Sequence, residues 1–201
     1  MTKASSTAMT ISILSLSTVS NASTAITGII PQLRRAYPQV PTTVIEWLVT
    51  IANLSALITL VLNPRVVRRW GLRRVVISGL LLSAFSGWLP ALTTNFTAVM
   101  LSRFVLGLGI GLFAPHAISL ISHSFTGEKR ARLLGFQTGL TALGNAVLLG
   151  LAGMLVNLGW QPVFWLYLTL AGVAGLVARY VPEPRLPDGP QLPAARLPRR
   201  Q

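Results

Sequence analysis

Long charge-free intervals constrain this chain more than any other feature. No charged residue occurs between Lys3 and Arg34, Glu46 and Arg65, Arg74 and Arg103, Arg103 and Glu128, or Arg132 and Arg179. A helix that crosses a bilayer needs roughly 20 mostly apolar residues. The first, second and fourth intervals each fit one such helix. The third runs into the polar break Thr93-Thr94-Asn95-Phe96-Thr97. The last is long enough for two spans and divides at the turn-like cluster Asn157-Leu158-Gly159-Trp160-Gln161-Pro162. The pattern predicts an all-α membrane protein, a bundle of about six transmembrane helices near residues 9–31, 43–63, 75–93, 97–124, 131–157 and 162–180. Residues 1–8 form a short N-terminal segment, 9–180 the helical domain, and 181–201 a proline- and arginine-rich tail expected to be extended or disordered.

Composition agrees. Charged residues make up 10% of the chain and hydrophobic ones 52%, whereas a soluble domain carries about 25% charge. The N-terminal apolar stretch exceeds the roughly 7–15 residues of a signal-peptide core, carries Pro31 and leads into further spans, so it reads as a helix of the bundle.

The net charge of +13 raises nucleic acid as a partner, but its distribution argues otherwise. Arg65, Arg68, Arg69, Arg73 and Arg74 lie between spans 2 and 3, Lys129, Arg130 and Arg132 between spans 4 and 5, and Arg179 follows span 6. The alternate connections carry Arg34 and Arg35 or nothing. This asymmetry is the positive-inside pattern. It places both termini in the cytoplasm and makes the lipid bilayer, not nucleic acid, the expected partner.

Polar side chains inside the spans are the candidates for function. Span 1 carries Ser17, Asn21, Thr24 and Thr27 at helical spacing. Small hydroxyls suit close helix packing, whereas the amide of Asn21 is costlier to bury and points to a cavity lining. Span 5 carries Gln137, Thr141 and Asn145 at i, i+4 and i+8, stacked along one side, and Gly135, Gly139, Gly144, Gly150 and Gly153 slim the same helix. Span 4 has Gly107 and Gly111 in small-xxx-small spacing, with Pro115 after them as an expected kink. The chain has no cysteine, so disulfides and cysteine metal sites are excluded. No nucleophile–base set, metal cluster or phosphate-binding loop is apparent, and neither an enzyme nor a cofactor is expected.

Two stretches carry a family resemblance. Asn63-Pro64-Arg65-Val66-Val67-Arg68-Arg69-Trp70-Gly71-Leu72-Arg73-Arg74 resembles the signature loop of the major facilitator superfamily, Gly-x-Leu-x-Asp-Arg-x-Gly-x-Arg-Arg. Arg69, Gly71, Arg73 and Arg74 match. Gly71 suits a sharp turn with positive φ, and the arginines suit an anionic leaflet. Pro64 stands in place of the glycine and Arg68 in place of the aspartate; the resemblance implies that the charge latch normally built on that aspartate is weakened here. Leu101-Ser102-Arg103 through Gly107-Leu108-Gly109-Ile110-Gly111 is similar to the family's helix-4 pattern, whose arginine is linked to proton coupling in drug–proton antiporters. An arginine in a span is a functional candidate, with snorkelling to the outer surface as the alternative.

Phe125 to Arg132 and Gly159-Trp160 are similar to the family's connections around spans 5 and 6. The antiporter pattern of span 5 is matched only in part, by Gly144, Gly150 and Gly153, with Leu148 and Leu149 at its Gly-Pro positions. The resemblance covers about residues 9–183 and is nearest to bacterial drug-efflux-like members. It implies half of a twelve-helix fold, in the inner membrane of a bacterium.

Besides Arg103, a coupling proton has two candidates. Glu46 sits beside Trp47 at the outer end of span 2, where an interfacial carboxylate is the plainer reading; His116 follows Pro115, where helix packing is the plainer one. His123 reads as interfacial. The leading expectation is secondary transport of an unspecified small solute by alternating access. The chain would act as a truncated N-terminal half joined to a second six-helix half, or as a homodimer. A non-transporting membrane scaffold is the alternative.

Overall fold

The computed structural model describes residues 28–116 and 127–180. Among these residues there is no strand. The helices are α1 (Ile30–Ala36), α2 (Thr42–Trp70), α3 (Leu72–Trp88), α4 (Phe96–Phe113), α5 (Gly127–Leu155) and α6 (Thr169–Tyr180). Short 3-10 turns continue α3 over Leu89–Ala91 and α5 over Val156–Leu158, and a 3-10 segment, Gln161–Leu168, leads into α6. Five stretches, Thr42–Trp70, Leu72–Ala91, Phe96–Phe113, Arg130–Leu158 and Gln161–Arg179, are long and apolar enough to cross a membrane. This is a multi-pass helical membrane protein with the architecture of one half of the twelve-helix fold. Most of span 1, Asn21 included, lies outside the described residues, as do His123 and the tail.

Helix ends depart from the charge pattern in an informative way. Span 2 was expected to stop at residue 63, yet α2 runs through Pro64 to Trp70. At 29 residues it is about 43 Å long, longer than the roughly 30 Å of hydrocarbon. Arginine is a good helix former, so the charges mark the edge of the hydrocarbon and not the end of the helix. The expected loop over 63–74 contracts to Gly71, with φ 84°. With ψ 149° this is a region close to glycine-only, where another residue costs on the order of 1–3 kcal/mol. α3 starts at once, at Leu72. Asn95 caps α4 by accepting the Thr97 N–H at 2.9 Å, and Gly159, with φ 116°, makes the turn after α5.

α4 is the packing centre, gripped by α2 on one side and α3 on the other. Its glycines explain this. Successive helical residues are rotated by about 100°, so Gly107 and Gly111 share a face and Gly109 points away from it. A Cβ on Gly107 would lie 2.0 Å from the Ala52 carbonyl oxygen, and one on Gly111 2.3 Å from that of Ala56, both on α2. A Cβ on Gly109 would lie 2.3 Å from Ser83 Oγ on α3. Without side chains the backbones close in, as membrane helices do when no hydrophobic effect drives them together.

α5 behaves differently. Of its most apolar window only 11% is buried, against 50% in α4. Gly144 is buried, but a Cβ on Gly135, Gly139, Gly150 or Gly153 would meet no described atom within 4 Å.

Candidate functional site

Arg103 is the eighth residue of α4, about 10 Å along the axis from its start. A guanidinium at that depth must be either exposed or satisfied. It is satisfied: Arg103 is 0% exposed, the largest fully buried side chain among the described residues. Its Nη1 donates to Tyr167 Oη at 3.0 Å and its Nη2 to the Gly87 carbonyl at 3.1 Å. The guanidinium carbon lies 4.9 Å from the ring centroids of both Phe164 and Tyr167. The side chain does not snorkel.

No carboxylate faces it among the described residues, and the negative partial charge it meets there comes from a helix end. Gly87 lies in the last turn of α3, where backbone carbonyls lack intrahelical donors and the helix carries about half a negative charge. The change to a 3-10 turn at Leu89–Ala91, with Pro90 inside it, stops the α-helical ladder there. Aromatic faces add cation–π attraction of about 0.5–2 kcal/mol each. Gly87 is also required sterically, because a Cβ there would lie 2.5 Å from the Tyr167 ring. Nε of Arg103 has no partner among the described residues.

An aromatic chain runs from this buried charge to the end of the bundle at Leu92. Tyr167 stacks on Phe164 at 6.2 Å, Phe164 meets Trp160 edge-on at 5.8 Å, Trp160 lies 5.7 Å from Tyr37, and Tyr37 meets Phe96 at 5.3 Å. Trp88 and Trp165 form a further edge-on pair at 5.6 Å. These rings tie Tyr37, just after α1, and Phe96 of α4 to residues 160–167.

The remaining candidates are not gathered around Arg103. Gln137, Thr141 and Asn145 lie half-buried along one side of α5. Thr141 donates back to the Gln137 carbonyl at 2.8 Å, and the buried Oδ1 of Asn145 has no hydrogen-bond partner among the described residues. Glu46 is exposed in the first turns of α2 beside the exposed Trp47. His116 bonds Asn63 Oδ1 through Nε2 at 2.8 Å. Of the signature residues, Arg69 and Arg74 are exposed, as is Arg68, and Arg73 donates from Nη2 to the Ala178 carbonyl near the end of α6.

Tyr167, Gly87 and Asn63 were not singled out as site residues from sequence. Tyr167 had a usable signal, since a tyrosine in mid-span needs a partner for its hydroxyl. Gly87 had none.

Residues 8–201 match the family model of the Major Facilitator Superfamily. The chain is 27% identical over 136 residues to the Major facilitator superfamily multidrug transporter mfsC of Aspergillus fumigatus, covering 67% of this chain and 26% of that protein. It is 29% identical over 138 residues to a methylenomycin A resistance protein of Bacillus subtilis, covering 68% and 29%. With the putative niacin/nicotinamide transporter NiaP of Bacillus subtilis it shares 27% identity over 147 residues, covering 73% and 36%. The matched part thus spans about a quarter to a third of these relatives. With its membrane-spanning helices, its glycine-gripped α4 and the match along nearly its whole length, the chain belongs to the Major Facilitator Superfamily.

Proposed function

We propose that the chain is the six-helix N-terminal half of a secondary transporter that moves a small organic solute by alternating access. Its second wall comes from another six-helix half or a second copy of itself. Family membership supports this reading, and one feature of the fold carries it furthest. α5 has a polar stripe, Gln137–Thr141–Asn145, in a helix that is mostly apolar beyond Arg132 and little covered. The buried amide oxygen of Asn145, without a partner among the described residues, is costly against lipid and satisfied against a water-filled pathway. The stripe therefore lines the route, with Asn21 of span 1 as a further lining candidate. Arg103, fully buried between helices, acts as a positioning residue for the outer end of that wall. A coupling proton, where one is used, has His116 and Glu46 as its candidate sites. The arginine-rich Gly71 end faces the cytoplasm of a bacterial inner membrane, by the positive-inside rule.

The test is flux in proteoliposomes. Labelled nicotinate, 3-(3-hydroxyphenyl)propionate and ethidium serve as probes, since relatives are described as niacin/nicotinamide, 3-(3-hydroxy-phenyl)propionate and multidrug transporters. Flux that falls on replacing Gln137 and Asn145 by leucine supports the reading. Absence of flux of any probe, from both the chain alone and the chain joined to a second half, favours the non-transporting scaffold.

A further inference from the structure

Pro115 leaves a hole in the hydrogen bonding of α4, and a neighbouring helix fills it. In a continuing α-helix the N–H of residue 115 would donate to the carbonyl of Gly111, but proline has no N–H. The Ala114 N–H is already committed to the Ile110 carbonyl at 2.9 Å. Among the described residues the Gly111 carbonyl therefore has no main-chain donor, and inside the bundle an unpaired backbone group costs about as much as a lost hydrogen bond.

Asn63 of α2, 3% exposed, supplies the missing donor. Its Nδ2 lies 2.7 Å from the Gly111 carbonyl oxygen and 3.0 Å from that of Leu112. Two acceptors on one side of the amide fix its orientation, because a flipped amide would press Oδ1 against two carbonyls. Oδ1 then faces His116, and since that oxygen only accepts, Nε2 of His116 is the donor of the 2.8 Å bond.

We propose that Asn63 is a surrogate main-chain donor. It clamps the proline-broken end of α4 to α2 and holds His116 in its Nε2–H form, so that the two helices move as one body at the Gly71 end of the bundle. The same device recurs where Arg73 donates to the Ala178 carbonyl of α6 and Arg103 to the Gly87 carbonyl of α3. In each case a side chain from one helix captures a carbonyl near the end of another. Asn63 differs in that the carbonyl it captures is orphaned by a proline. The clamp is independent of whether the chain moves a solute.

Hydrogen exchange on the full chain in nanodiscs tests it. Asn63→Leu should speed exchange of the Ala114 amide about tenfold, equivalent to about 1.4 kcal/mol. Amides of α5 and α6 should be unchanged. Pro115→Ala restores a donor for Gly111, so Asn63→Leu in that background should change the rate by less than about twofold, whereas a merely space-filling residue would be missed equally in both backgrounds. His116→Ala, which leaves both donations of Asn63 intact, should leave the Ala114 amide unchanged. Should Asn63→Leu open the whole bundle, Asn63→Ala asks the same question, since it removes the donor and adds neither bulk nor charge. Wild-type exchange in the Asn63 variant, or an undiminished effect beside Pro115→Ala, overturns the proposal.

Discussion

Replacing Tyr167 by phenylalanine removes one oxygen from the environment of the buried arginine and leaves the ring. The 3.0 Å bond from Arg103 Nη1 to Tyr167 Oη is a bond to a charged group, of a kind that contributes about 1.5–3 kcal/mol. The cation–π contact with the same ring, 4.9 Å from its centroid, survives the change. Interhelical hydrogen bonds in membranes often measure lower, up to about 1.7 kcal/mol, because the unfolded chain finds other partners there. The expected loss is therefore about 1.5–2 kcal/mol, or more than tenfold in the folded-to-unfolded ratio. A double-mutant cycle with Arg103→Met isolates the pair. Equilibrium unfolding in mixed micelles, followed by the fluorescence of Trp160 and its neighbours, supplies the free energies. Coupling of at least about 1 kcal/mol is expected. A coupling below about 0.5 kcal/mol, the scatter of independent sites, refutes the claim that Tyr167 holds Arg103 in place.

The glycines of α4 and α5 separate in the same assay. Gly107→Ala drives a methyl into the Ala52 carbonyl and should cost about 1–3 kcal/mol, whereas Gly150→Ala meets no described atom within 4 Å and should be neutral or slightly stabilising through helix propensity. Orientation is testable because the chain has no cysteine. A membrane-impermeant thiol reagent added to intact cells should label Leu92→Cys and spare Trp70→Cys, both side chains being exposed. The opposite pattern would invert the assigned orientation.

Some of this was legible in the sequence, for physical reasons. Charges are excluded from hydrocarbon, so their spacing locates the spans, and five of the six reappear as helices long enough to cross. Helix ends were less legible. Arg65, Arg68 and Arg69 end the apolar run but do not end α2, which continues to Trp70, because arginine leaves the hydrocarbon without leaving the helix. The small-xxx-small spacing of Gly107 and Gly111 carries geometric information, since residues four apart share a face. Similar glycines on α5 show that spacing alone does not say which of them meets a neighbour.

Partners distant in the chain were not legible. Arg103 stood out as a charge in a span, but its bonds reach Gly87, 16 residues away, and Tyr167, 64 away. Periodicity reports which face a residue occupies and nothing about the face opposite. Asn63 looked like the start of a loop. Its role appears only when the missing N–H of Pro115 is set against the carbonyl of Gly111, 48 residues from Asn63.

The polar side of α5 is the proposed wall of an aqueous route. Single cysteines at Gln137, Thr141 and Asn145, compared with Leu143 and Val147 on the exposed apolar side, test this directly in proteoliposomes with a charged methanethiosulfonate reagent. The reading predicts rapid modification along the 137–141–145 stripe and none at 143 or 147. Equal protection at all five positions, or modification confined to 143 and 147, would contradict it.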